Sequence, residues 1–286
     1  MSKYNNRFLF YLLYCLGLGI KHRSIYHLVR LGIKLKRTLR PISHINAEEL
    51  RTLYLLDGSH TEINGLYTDA MVNKMYYYLD LFALIGGKGE EWIERIVINN
   101  KHYFDTAIAN GRPNLFLQLH SGSFYLLLVW FAMFWEKTGV LYFNASSLRE
   151  TVHDFALQQY CLQKLRTYKD VENMLIKGKS CMLMIDGGKF NRKYAEDVKI
   201  NGISLNFPTS PLSLARTTGC NIIPVLSRRL SWKQIEFTFY PPHLGSATAS
   251  MQEIIDSFWA DLKRDPRQWY IVLENIHHIY PPFIKA

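Results

Sequence analysis

The sequence predicts an α/β fold: a single domain with a central mixed, largely parallel sheet flanked by helices, plus N-terminal amphipathic helices. Three observations carry this. Short apolar runs closed by turn residues alternate with helical stretches from about residue 92 onward. The 286 residues are 48% apolar and 20% charged, which excludes disordered and low-complexity classes. No linker, internal repeat or composition break follows residue 41.

The elements follow in order. Asn46 with Glu48 and Glu49 opens a helical region running to about residue 85, and Gly86, Gly87 and Gly89 make a turn. Residues 92–98 suit a short strand. Residues 102–110 suit a helix, stopped by Gly111 with Pro113 beyond. Residues 114–119, NLFLQL, are a short apolar run of the kind buried on both faces of a parallel sheet. An apolar stretch over 124–135 follows, then a strand at 140–143 and helices at 147–168 and 170–177. Residues 180–185 form a strand closed by Asp186-Gly187-Gly188. A helix at 210–218 ends at Gly219. Strands at 221–227 and 232–240, a helix at 251–264 and a last strand or helix edge at 269–273 complete the chain.

The charge is unevenly placed. The whole chain carries +10, yet residues 1–40 contain nine basic residues and no acid. Residues 8–20 form an uncharged apolar run that as a helix reaches about 20 Å, short of the roughly 30 Å of a bilayer core. Lys3 and Arg7 resemble the start of a secretory signal, but no small-residue cleavage site follows. Residues 21–40 then place Arg23, His27, Arg30, Lys34 and Arg37 on one helical face. Ile25, Leu28, Gly32, Leu35 and Leu39 lie on another. A basic face beside an apolar one, with no acid to balance it, fits a helix lying on an anionic membrane. Residues 1–40 are thus expected to associate with a membrane, through Arg23, Arg30, Lys34 and Arg37, and residues 41–286 to form the body. The aromatic content of 14% suits work at an interface or on an apolar substrate. No nucleic-acid-binding motif accompanies the charge.

Cys15, Cys161, Cys181 and Cys220 are scattered, without C-x-x-C or zinc-ligand spacing, and read as reduced core thiols. No metal or cofactor is expected, because Walker A, Rossmann and H-E-x-x-H motifs are all missing.

Two strand ends carry polar clusters, and ligands in open α/β sheets bind at the carboxyl ends of strands. His120 follows the buried run at 114–119 and opens Ser121-Gly122-Ser123 ahead of a helix. An imidazole there is placed to take a proton from a hydroxyl, and helix N–H groups favour a developing oxyanion. The second cluster is Asp186 to Lys193, where Lys189, Arg192 and Lys193 suit a phosphate or an acidic sugar, with Arg149 as a further cation. Ser121 and Ser123 lack the G-x-S-x-G of a serine hydrolase.

Five stretches resemble the lysophospholipid acyltransferase superfamily, specifically its late lipid A acyltransferase branch: residues 104–111, LHSGSFY, MLMIDGG, VKINGISLNFPTSPLSLARTTGCNIIPV and DPRQWY. The resemblance covers about residues 92–275. It implies an inner-membrane acyltransferase at the cytoplasmic face. A carrier-protein thioester would be the donor and a hydroxyl of lipid A or a related glycolipid the acceptor. His120 would be the general base, Asp186 a further catalytic residue, and Ser121, Ser123 and Tyr125 would line the substrate.

One departure matters. The family pattern sets an Asp or Glu five positions after the histidine, where this chain has Tyr125. Three accounts stand: His120 acts alone, another acid such as Asp186 serves in space, or the chain is a catalytically inactive lipid binder. A divergent subgroup transfers an amino acid such as glycine to lipid A, a modification tied to antimicrobial peptide resistance. By analogy, a short polar donor fits an altered motif.

Overall fold

Leu115, Phe116 and Leu117 are fully buried, and they sit in the middle of the sheet that organises the computed structural model. The structure describes residues 22–39, 50–54, 59–85, 91, 93–136, 138–141, 160, 163–186, 194–245 and 249–269. In chain order the helices are α1 (His22–Leu39), α2 (His60–Ile85), α3 (Lys101–Ala109), α4 (Tyr125–Phe134), α5 (Tyr168–Ile176), α6 (Ser210–Thr218) and α7 (Met251–Arg264). The strands are β1 (Ile96–Asn99), β2 (Asn114–Gln118), β3 (Gly139–Leu141), β4 (Gln163–Leu165), β5 (Cys181–Met184), β6 (Ala195–Ile200), β7 (Ile203–Pro208), β8 (Asn221–Arg229) and β9 (Ile235–Phe239).

Seven strands pair in the order β1-β9-β8-β2-β5-β3-β4. All neighbours are parallel except β8 and β9, which run antiparallel. Successive side chains of a strand point to opposite faces. Accordingly Leu115, Leu117 and Leu119 enter a core shared with α5, α6 and α7, whereas Phe116 enters the other, shared with α3, α4 and much of α2. The mixed, mostly parallel sheet with helices on both faces is the architecture expected from the alternation.

The local chemistry explains most boundaries. Thr167 and Ser250 build capping boxes with Asp170 and Glu253 at the starts of α5 and α7. Gly219 takes a left-handed conformation that stops α6. Some expectations are corrected. Residues 163–165 form an edge strand rather than the end of a helix, which places them beside β3. The first strand begins at Ile96, not at residue 92. Residues 195–208 make a two-stranded hairpin that the strand-by-strand reading passed over. Its turn, Asn201-Gly202, has positive φ at both residues, the geometry that Asn-Gly favours in tight hairpins.

Helix α1 lies where the amphipathic pattern put it, but its faces differ from expectation. Its buried face is Tyr26 with Val29 and Ile33, packed against α2 and the β8–β9 corner. Leu28, Leu31 and Leu35 remain 59%, 65% and 63% exposed, beside exposed Arg30 and Lys34. The side chains of Arg23, Ile25, Arg37 and Leu39 lie outside the described residues, as do residues 8–20. Among the described residues no helix is long and apolar enough to cross a membrane.

Candidate active site

β2 and β5 are parallel neighbours, with Gln118 opposite Met184. Two residues further along each chain come His120 and Asp186, so the sheet register itself brings them together. The ladder closes on a side chain: the His120 N–H, just past the last strand pair, donates to the Asp186 carboxylate at 2.8 and 3.0 Å. His120 Nδ1 lies 2.6 Å from Asp186 Oδ1, and Trp269 Nε1–H donates to Oδ2 at 2.6 Å. The Asp186 side chain is completely buried, while that of His120 is 24% exposed.

Three donors surround one carboxylate. With Nδ1–H engaged by Asp186, the hydrogen-bond network leaves Nε2 as the nitrogen able to accept a proton. Phe124 packs edge-on against the imidazole, with centroids 5.3 Å apart. The turn that follows is clamped from two sides. Ser121 bridges to Trp269, and the Ser123 N–H donates to Ser227 Oγ at 2.9 Å. Gly122 adopts φ 48°, and a Cβ there would stand 2.6 to 2.8 Å from Ser227. Only glycine lets β8 approach this closely.

The other expected substrate contacts are placed differently. Ser121, Ser123 and Tyr125 are buried, with Tyr125 3% exposed. Tyr125 packs among Tyr77 and Phe124, because α4 drives its first turn into the apolar layer under α2. Ser123 Oγ joins an internal polar cluster instead of facing a ligand. Its N–H is already engaged by Ser227 and is unavailable to an oxyanion. All three are thus packed into the turn and the layer beneath it. Arg149, Lys189, Arg192 and Lys193 lie outside the described residues.

Sequence reasoning missed the polar cluster altogether. Asp80 of α2 pairs with Arg229 at the end of β8, and both are buried. Ser123 Oγ donates to Asp80 and receives Arg229 Nη2–H at 2.7 Å, and the Tyr26 hydroxyl donates to Asp80 at 2.5 Å. Burial lowers the Arg229 pKa and raises that of Tyr26 to about 12, since desolvation disfavours each charged form. Arg229 also stacks over Tyr26 and Tyr76, 5.7 and 5.5 Å from the ring centroids. The sequence signals were an aspartate inside an apolar helix, MYYYLDLFALI, and arginines closing an apolar strand, IIPVLSRR. Removing one partner of such a buried pair typically costs about 3–5 kcal/mol.

Gln268 ties the cluster to the histidine pair. Its side chain exchanges hydrogen bonds with the backbone of Arg229, accepting at 2.8 Å and donating at 3.0 Å. The next residue, Trp269, holds Asp186. Gln118, on the same side of β2 as His120 by strand alternation, is fully buried, and neither of its amide atoms has a partner among the described residues. Among the described residues no group of three or more metal-ligating side chains occurs.

A buried carboxylate orienting a half-buried imidazole at the carboxyl edge of a parallel sheet is suited to taking a proton from a hydroxyl. The family model of bacterial lipid A biosynthesis acyltransferases matches residues 70–276, and the chain belongs to that family. It is an acyltransferase, from a family that acts on lipid A-like substrates. No curated protein matches the chain in sequence.

Proposed function

We propose that the chain is a divergent member of the late branch of this family. It transfers an acyl or aminoacyl group from a carrier-protein thioester to a hydroxyl of lipid A at the cytoplasmic face of the inner membrane. His120 is the general base and Asp186 its orienting acid. The observation that carries this is the 2.6 Å contact between His120 Nδ1 and Asp186 Oδ1. It supplies in space the carboxylate that Tyr125 does not supply in sequence.

In this mechanism the acceptor hydroxyl attacks the thioester carbonyl while Nε2 of His120 takes its proton. The tetrahedral intermediate then collapses, expelling the carrier thiolate, which recovers the proton from His120. Asp186 stabilises the transient imidazolium and fixes its ring. A thioester is already activated, so positioning and proton removal suffice. The inactive-binder reading is disfavoured, since a silent site has no need of a buried carboxylate held by three donors.

Residues 1–40 serve as the membrane foot of a 41–286 body. The exposed Leu28, Leu31 and Leu35, flanked by Arg30 and Lys34, support this reading. The amide of Gln118, buried and without a partner among the described residues, favours a short polar donor such as a glycyl group over a long hydrocarbon.

The deciding experiment incubates the full chain with lipid A and carrier protein loaded either with glycine or with a fatty acid. Mass spectrometry of the lipid is the readout. A glycyl mass increment that disappears in His120→Ala is expected. A modified lipid at wild-type rate in His120→Ala would remove the general base. No increment from either donor would remove the transfer reaction.

A further inference from the structure

α1, α2, the β8–β9 turn and the Arg267–Gln268 segment line a half-open cavity of about 300 Å³. Arg30, Arg229 and Arg267 line it, together with Tyr26, Tyr76 and Trp232. Its one carboxylate among the described lining residues is Asp69. The acids that neutralise two of these arginines are not part of the lining. Asp80 holds Arg229, and Asp265 accepts from Arg267 Nε at 2.6 Å. The guanidinium groups are thus oriented from outside while contributing to the wall. Arg229 is buried, and its Nε–H has no partner among the described residues. Two further cations approach Trp232: Lys233 Nζ and the Arg95 guanidinium lie 5.1 and 5.9 Å from its ring centroid.

We infer that this cavity binds the phosphorylated sugar headgroup of the acceptor lipid, with Arg30 and Arg267 on the phosphate and Trp232, Asp69 and Asn73 on the sugar. Planar guanidinium forks match phosphate oxygens. An aromatic face with a carboxylate and an amide suits a sugar ring, whose C–H face is apolar and whose rim carries hydroxyls. The volume lies at the small end of the range for ligand pockets, enough for one sugar phosphate. The location agrees. The cavity lies beneath α1, whose exposed leucines mark the lipid-facing side, so a headgroup enters as its acyl chains stay in the membrane. It also adjoins the reacting centre, because Gln268 lines it and Trp269 holds Asp186. Arg229 reaches Ser123 of the catalytic turn directly.

This inference rests on the lipid A reading but is tested separately from it. Titrate the full chain calorimetrically with glucosamine 1-phosphate, glucosamine and inorganic phosphate. In parallel, measure flotation on phosphatidylcholine vesicles doped with lipid A, dephosphorylated lipid A or phosphatidylglycerol. Arg229 variants risk unfolding, so the variants are the rim changes Arg30→Gln and Arg267→Gln. Lys101→Gln, on exposed α3, controls for lost charge. Glucosamine 1-phosphate is expected to bind best, and each rim change to weaken it about tenfold, with Lys101→Gln unchanged. Trp232→Leu should weaken glucosamine 1-phosphate more than inorganic phosphate. Equal affinity for inorganic phosphate and the sugar phosphate overturns the assignment, as does a preference for lipid A over phosphatidylglycerol that survives Arg30→Gln/Arg267→Gln. So does wild-type affinity in Arg30→Gln/Arg267→Gln. Because binding needs no turnover, sugar-phosphate binding without any transfer sinks the reaction and keeps the cavity. Transfer that is indifferent to both arginines does the reverse.

Discussion

Replacing Asp186 with asparagine keeps the volume of the side chain and removes one acceptor oxygen. The carboxylate receives three donors: the His120 N–H, the His120 ring at 2.6 Å and the Trp269 indole at 2.6 Å. An asparagine must turn its NH₂ toward one of them. Facing Trp269, it sets two donors head to head and leaves a buried indole unpaired. Facing His120, it forces Nδ1 to accept, which moves the proton to Nε2 and disables the base. The first arrangement strands a buried polar group, at about 1–3 kcal/mol. For a chain of this size that lowers Tm by several degrees. The rate should fall ~10²–10⁴-fold, or about 2.7–5.4 kcal/mol of barrier. The assay is initial-rate transfer from loaded carrier to lipid A, with a melt of the same preparation. A folded Asp186→Asn retaining more than half of wild-type kcat would refute the orienting role, and His120 would then act without its acid.

Three further outcomes follow from the same geometry. Tyr125→Glu, which writes the family spacing back into the chain, should lower Tm without restoring anything. It buries a carboxylate among Tyr77 and Phe124 while Asp186 already serves His120. A gain in kcat would show that position 125 does reach the imidazole. The triple change of Leu28, Leu31 and Leu35 to serine should weaken partitioning onto anionic vesicles roughly 100-fold or more, at an unchanged Tm. Undiminished vesicle binding would move the anchor elsewhere. Desolvation holds the pKa of His243 below the ordinary imidazole value, with Glu253 opposing. As pH falls below about 6.5 the unfolded chain therefore takes up this proton first and stability declines. His243→Gln should make the drop in Tm between pH 7 and 5 shallower, and a parallel drop in both proteins would discount the residue.

Much of the fold was legible because its strands are short apolar runs with clear stops. The run at 114–119 is buried on both faces, and Gly219 ends α6 at the residue expected. His120 and Asp186 stood out singly for the same reason, each closing a buried strand. Their contact stood only as one of three open accounts, since it joins residues 66 apart through the β2–β5 register, which no local pattern displays. The Asp80–Arg229 pair spans 149 residues and was invisible for the same cause. The β6–β7 hairpin is a different matter, for Asn201-Gly202 is itself a hairpin signal. Helix α1 shows a further limit. Periodicity found its apolar stripe of Leu28 and Leu35 but could not tell which of two apolar faces the body would claim, and the body took Tyr26, Val29 and Ile33.

Delivery of the carboxylate from a second strand has a thermodynamic corollary. A histidine and an acid five positions apart belong to one short stretch of chain and can stay close even if the sheet loosens around them. In this chain the register of β2 and β5 sets the two groups side by side, with Trp269 as an added support, so they separate when those central strands part. Competence for chemistry is then tied to the most cooperative unit of the molecule, and a subglobal opening that frees this ladder switches the site off completely. Amide hydrogen exchange at Leu117 and Ile185 should accordingly report the same opening free energy that governs loss of activity in denaturant.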